Sequence, residues 1–273
     1  MNVVEEMRRH VQERGINKFV FLDDVFNVPK ENAREILRHI IKELPGVQIN
    51  FPNGLRADCL DEEMLQLLED AGTVQLAVAV ETASPRLQKI VGKNLNISSA
   101  KKWIQLASEK FIVCTFFMIG FPTETLEEAL ETINLARDLK HVSQPVLSIV
   151  RLYPGTALYA MLAPDEEQAR LLARQEGHML QPRLLSPPEF YGDIFPEDKV
   201  PLRGKDIQKL RWKWMREVLM NKERIRNSHV ILQKFFNRNQ ILEFYKSLYD
   251  NSRFNELAMA KLLQPDAGTE NET

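Results

Sequence analysis

The chain has 273 residues, of which 44% are hydrophobic and 27% charged, with a formal net charge of −2. This length and apolar content support one large domain, or one domain with an appendage, and the near-balanced charge excludes a global pull towards nucleic acid or an anionic membrane. Two cysteines, Cys59 and Cys114, exclude a disulfide scaffold and cannot by themselves build a zinc or iron–sulfur site.

The two cysteines read as reduced thiols. The opening MNVVEEMRRH lacks the apolar stretch of a secretory leader, and no apolar run has the length of a bilayer span, so a cytoplasmic protein is expected.

An opening helix is predicted over Val3–Arg14. Short apolar runs then predict strands at Lys18–Asp23, Val47–Pro52, Val74–Val80, Ile112–Ile119 and Val146–Leu152. Their continuity suggests strands covered on both faces. Between them, Leu37, Ile40, Ile41 and Leu44 share a helical face, as do Ala100, Trp103, Ile104 and Ala107, and Leu126, Ala129, Leu130 and Ile133. Ser84-Pro85 offers an N-cap followed by proline at the first helical position, and Thr125 with Glu128 fits a capping box. Strands alternating with helices predict a parallel sheet with right-handed crossovers. Periodicity leaves open whether that sheet is doubly wound or part of a barrel.

The composition changes after Tyr159. Leu158–Gln175 has a helical pattern, five prolines within Gln181–Pro201 predict an irregular linker or lid, and Lys205–Leu263 is helical again. The expected division is a sheet domain over 1–163, a helix and linker over 164–204, a helical region over 205–263 and a frayed tail over 264–273. Lys205–Arg226 is rich in lysine and arginine around Trp212 and Trp214. It reads as a solvated helix whose Trp214 face packs on the sheet, in preference to an RNA- or phosphate-binding face.

In a parallel α/β sheet, function gathers at the carboxyl edge. The predicted strands end in Asp23-Asp24, in FPNGLRAD carrying Arg56 and Asp58, in Glu81-Thr82, in Gly120 to Glu124, and in Tyr153-Pro154-Gly155-Thr156. Any one of these could be a helix cap or a turn residue. Five in succession predict a shared ligand site, suited to a small molecule with cationic and anionic groups. The five histidines lack ligand spacing, so no metal site is expected from them. No glycine-rich phosphate loop or nucleophile–base pattern is present.

In order, FLDDVF, PNGLRADCLDEEMLQLLEDAG, AVETASPRLQKIVGKN, FFMIGFPTETLEEALETI and LYPGTALY resemble the radical S-adenosylmethionine (radical SAM) family, closest to the group often fused to a cobalamin-binding domain. The resemblance covers roughly Val3 to Ala163. It implies an α/β fold: a partial parallel (β/α) barrel with a C-terminal helical extension. It also implies S-adenosyl-L-methionine and a 4Fe–4S cluster as cofactors of the parent enzyme, with cobalamin possible in the full-length parent. In the family, three thiolates of a Cys-x-x-x-Cys-x-x-Cys loop hold the cluster, and reduction of the bound cofactor yields the radical that attacks substrate.

Carried over by position, Asp23 and Asp24 take the place of the residues that bind the cofactor's amino group. Arg56 neutralises the cofactor carboxylate or a neighbouring acid, and Glu81 and Thr82 meet the ribose hydroxyls. Ile119 lies against the adenine, Gly120 leaves room for it, Glu124 braces the loop, and Tyr153 lies near adenine or substrate. Catalytic residues are not assigned, and no metal ligand is.

The family's first strand and cysteine loop have no counterpart here. The sequence therefore reads as a truncated, split or degenerate member. On the first reading it is an enzyme core that needs a cysteine-rich segment or protein from elsewhere. On the second it is a non-catalytic remnant that binds through the same cleft, and an unrelated phosphate-binding barrel is the third. Nucleic acid and membrane partners are not expected. The edge of Lys18–Asp23 is expected to be unpaired, leaving the chain poorly soluble, dimeric or covered there by its own tail.

Overall fold

The computed structural model describes residues 2–163 and 190–249. Helix α1 (Asn2–Arg14) precedes an alternating series: β1 (Lys18–Val20), α2 (Lys30–Glu43), β2 (Gln48–Leu55), α3 (Glu62–Asp70), β3 (Thr73–Glu81), α4 (Pro85–Ile90) and α5 (Ile97–Ser108). The series continues with β4 (Ile112–Ile119), α6 (Leu126–Asp138), β5 (Gln144–Ile149) and α7 (Ala157–Leu162). After residue 190 come α8 (Gly204–Trp214), a π-helical turn (Met215–Leu219), α9 (Lys222–Phe235) and α10 (Arg238–Tyr249). The rest of the helix expected up to Gln175, most of the proline-rich stretch and the tail beyond 249 lie outside the described residues.

The five strands pair in the order β1-β2-β3-β4-β5, every pair parallel, and the sheet is open. Because each strand neighbours the next in sequence, right-handed crossovers bring the connecting helices to one face. Leu76, Val78, Val80, Val113, Phe117 and Ile119 share one core with Leu37, Ile40, Met64, Leu68, Ala129 and Ile133 of the helices. The opposite face is more open. Gln75, Ala79, Phe116 and Met118 are half-buried and Val20 is 54% exposed. Full coverage of both sheet faces is thus corrected for the described residues: the apolar runs mark central strands, but alternate side chains towards the carboxyl ends keep partial access to solvent.

Strand limits shift for local reasons. β1 ends at Val20, three residues before the expected limit; Phe21 N still donates to Asn50 O (2.9 Å), after which the chain turns away. β2 continues beyond Pro52 to Leu55, with a register shift between Phe51 and Leu55. Proline has no N–H for the ladder and favours such an irregularity. Gly54, at φ 112°, supplies the conformation needed. β5 spans Gln144–Ile149, so it starts and stops before the expected limits.

The predicted caps form. Ser84 Oγ accepts from Leu87 N ahead of α4, and Thr125 and Glu128 make a reciprocal capping box at α6. Trp214 of α8 is buried edge-on against Phe117 of β4, with centroids 5.6 Å apart. A second cluster joins Val74 and Ile112, at the amino ends of β3 and β4, to Ile225, Ile231, Leu232, Ile241 and Tyr245.

Candidate functional site

The parallel order puts all five strand ends at one edge. The loop after β1 is anchored by three aromatic rings: Phe21, Phe26 and Phe51 meet with centroids 4.7 to 5.2 Å apart. Such contacts add about 0.5–1.5 kcal/mol each to the burial of the rings. They fix both ends of a short loop whose middle carries Asp23 and Asp24. Both residues are exposed, and neither carboxylate has a partner among the described residues.

At the end of β2, Arg56 Nε and Nη2 donate to Asp58 Oδ1 (3.0 Å) and Oδ2 (2.7 Å). This forked hydrogen bond holds the Asp58 carboxyl below its ordinary range and raises the guanidinium. Arg56 is thus paired with the neighbouring acid Asp58. Asn27, fully buried, clamps the Arg56 backbone: Asn27 Nδ2 donates to Arg56 O (2.9 Å) and Asn27 Oδ1 accepts from Arg56 N (2.8 Å). Composition and motif gave no cue to Asn27, because its role depends on a contact 29 residues away.

At the end of β3, Glu81 adopts φ 68°, uncommon for a residue with a side chain. Its Oε1 accepts from Lys93 Nζ at 2.9 Å. Thr82 is fully buried. Its hydroxyl accepts from Ser84 N (3.1 Å) and meets Thr132 Oγ1 of α6 (3.3 Å), so it is turned into the helix layer. Gln88 brackets this turn by donating to Val80 O and Thr82 O, each at 2.7 Å.

At the end of β4, Ile119 lies within the main core. Gly120, at φ 86°, has both backbone groups held by side chains: its N–H donates to Glu124 Oε2 and its carbonyl accepts from Tyr191. Phe121 N donates to the same carboxylate oxygen at 3.0 Å. A Cβ added to Gly120 would lie 2.9 Å from Phe190 Cε2, so the space left by the missing side chain is taken by the Phe190 ring. Glu124 is fully buried and its Oε1 lacks a partner among the described residues. Burial pushes its carboxyl up to about 7 despite the two amides that favour the charged form.

The outer side of this loop is tied down by Arg86, which donates to Thr123 O (2.7 Å) and to both Glu128 oxygens. Burial alone would raise the Glu128 carboxyl; hydrogen bonds from Arg86, Ser84 and the Thr125 amide outweigh it and hold the group at about 2. Tyr153, past β5, is 60% exposed.

The structure therefore joins Arg56 and Glu81 to a common network through Lys93, and places the unpartnered Asp23 and Asp24 on the neighbouring strand end. Ile119, Gly120 and Glu124 form the frame of the β4 loop, and Thr82 faces inward. The cysteines do not converge. Cys59 follows β2 and is half-buried, whereas Cys114 is the third residue of β4 and is buried. Burial pushes the Cys114 thiol up to about 12 and also raises Cys59. Among the described residues no cluster of three or more potential metal ligands occurs, and no helix is long and apolar enough to cross a membrane.

An open parallel sheet with polar groups at its carboxyl edge and helices between its strands defines the class: an α/β protein. Residues 2–136 match the model of the radical SAM superfamily. It is 31% identical over 159 residues to an uncharacterized methyltransferase of Pyrococcus horikoshii, covering 58% of this chain and 34% of the relative. It is 32% identical over 145 residues to the cytidylyl-2-hydroxyethylphosphonate methyltransferase of Streptomyces wedmorensis, covering 50% and 27%. The chain thus spans about a third or less of the length of these relatives. The radical S-adenosylmethionine methyltransferase TsrM of Kitasatospora setae, solved with cobalamin and a [4Fe-4S] cluster bound, has a similar fold. Its TM-score is 0.52 at 22% identity, with 59% of this chain and 33% of that chain covered.

Proposed function

We propose that this chain supplies the S-adenosylmethionine pocket of a radical SAM enzyme, and that the thiolates for the iron–sulfur cluster come from outside these 273 residues. The observation that carries the reading is the edge of β1 to β3, where two unpartnered carboxylates adjoin an arginine and a glutamate already held in place. Asp23 and Asp24 would accept hydrogen bonds from the cofactor's ammonium, Glu81 would accept from the ribose hydroxyls, and the Gly120 loop would flank the adenine. The bound cofactor would supply radical or methyl-transfer chemistry; the protein's part is to position reactants and exclude water. The names of the two relatives favour methyl transfer.

The residues present do not fit the cluster. Such a centre needs thiolates on several irons, and here there are two thiols, both shifted towards the protonated form. A three-cysteine segment fits best along β1, whose outer edge has no neighbouring strand among the described residues and which carries the exposed Val20, with the exposed Leu22 just past its end.

The test is anaerobic reconstitution of the chain with iron and sulfide, followed by assay for 5′-deoxyadenosine. The expected result is no stable 4Fe–4S absorbance and no cofactor cleavage by the chain alone, with both restored by a polypeptide carrying the three-cysteine segment. Stoichiometric cluster binding with cleavage by this chain alone would overturn the assignment. Failure of S-adenosylhomocysteine to bind would favour a remnant that takes other ligands.

A further inference from the structure

We propose that Lys93 is a positioning residue for the ligand edge, setting the Glu81 carboxylate with its ammonium and steadying Arg56 with its own carbonyl. The inference rests on the cofactor-pocket reading above.

Glu81 has a left-handed backbone, a conformation that costs a residue with a Cβ about 1–2 kcal/mol. Such a residue persists where its surroundings over-determine it, and the surroundings here converge on one loop. Gln88 O accepts from both Lys93 N (3.0 Å) and Asn94 N (3.1 Å), and Gln88 Oε1 accepts from Leu95 N (3.1 Å). Gly92 at φ 69° and Asn94 at φ 51° flank Lys93 and turn the chain back onto the end of β3. The Lys93–Glu81 pair is 2.9 Å long, with side chains 21% and 23% exposed, so solvent screens it less than a pair on the open surface.

The same residue reaches β2, because Arg56 Nη2 donates to Lys93 O at 3.3 Å. One continuous path therefore runs from Asn27 after β1, through Arg56 after β2 and Lys93 after α4, to Glu81 on β3. The charges along it are matched: Arg56 with Asp58 and Lys93 with Glu81. Asp23 and Asp24 remain as the unmatched carboxylates for a cationic ligand group. With Oε1 taken by Lys93, Glu81 Oε2 is the acceptor left for a ligand hydroxyl, and Lys93 decides where that oxygen stands.

The experiment compares wild type, Lys93→Met and Lys93→Arg by calorimetric titration with S-adenosylhomocysteine and by amide exchange without ligand. Lys93→Met should weaken binding about tenfold, the loss expected for one charged hydrogen bond. It should also speed exchange at Glu81 to Ala83. Lys93→Arg should recover most of both, which a purely steric role for the lysine stem would not predict. Wild-type affinity and exchange in Lys93→Met would overturn the proposal, as would an arginine variant no better than methionine. If wild type itself takes up no S-adenosylhomocysteine, the pocket reading fails. The ligand-free exchange still decides the role of Lys93: quickened exchange rescued by arginine supports it, and unchanged exchange overturns it.

Discussion

Glu124→Gln isolates a buried carboxyl that organises the loop after β4. In wild type, Glu124 Oε2 accepts from the amides of Gly120 and Phe121 while Oε1 lies buried without a partner among the described residues. Burial, aided by the nearby Glu128 charge, pushes the group from an ordinary value of 4.5 up to about 7. The folded protein therefore holds this proton more tightly than the unfolded chain does. The resulting stability is fully present below the unfolded value and is lost as pH rises through 7. At about 1.4 kcal/mol per pH unit the loss totals about 3 kcal/mol, most of it between about pH 5 and 8.

Glutamine keeps an oxygen for the two amides and does not titrate. Its buried NH2 lacks an assured acceptor and should cost about 1–3 kcal/mol at every pH. Urea denaturation of both proteins across this pH range provides the assay, because every other titrating group is common to both and cancels in the difference. Wild type should lose stability relative to the variant as pH rises, with the steepest change about midway between 4.5 and 7 and a levelling off above pH 7. Parallel stability curves would show that Glu124 is charged throughout or that water reaches Oε1, and would refute the reasoning.

Gly120→Ala should destabilise by about 1–2 kcal/mol through its left-handed backbone and by a further 1–3 kcal/mol or so through overpacking against Phe190. Adding Phe190→Ala should relieve the clash but not the backbone cost, and a Gly120→Ala variant as stable as wild type in denaturant would contradict this. Arg224, 1% exposed, donates to Val218 O (2.9 Å), Leu219 O (2.7 Å), Ser143 O (3.1 Å) and Val142 O (3.3 Å), linking α9 to the start of β5. Arg224→Met should therefore cost about 3 kcal/mol or more and quicken amide exchange in both segments; a change in melting confined to a degree or two would contradict it.

Element types and the edge that carries polar residues were legible in the chain because both follow from local rules. Period-2 and period-3.6 apolar patterns are set by backbone geometry, and Ser84, Thr125 and Glu128 cap within three residues of themselves. Strand-to-helix alternation then permits few topologies, which is why Asp23, Arg56, Glu81 and Gly120 could be assigned to one edge before any coordinates. Strand limits were less legible. Where β1 stops depends on having one neighbour instead of two, and the irregularity after Phe51 depends on how Pro52 and Gly54 meet β3.

Roles within the edge needed the tertiary structure. Glu81 and Thr82 are adjacent and both polar, yet one pairs with Lys93 and the other is buried against Thr132. Asn27, Gln88, Lys93 and Tyr191 carry no motif, and each acts on a backbone or carboxylate group brought to it by the fold. By itself, the sequence determined the order of elements and the edge of the sheet at which polar residues gather. Only the tertiary structure decided which polar groups are already satisfied by one another and which remain free, because hydrogen bonds form across space and a linear pattern records only neighbours in the chain.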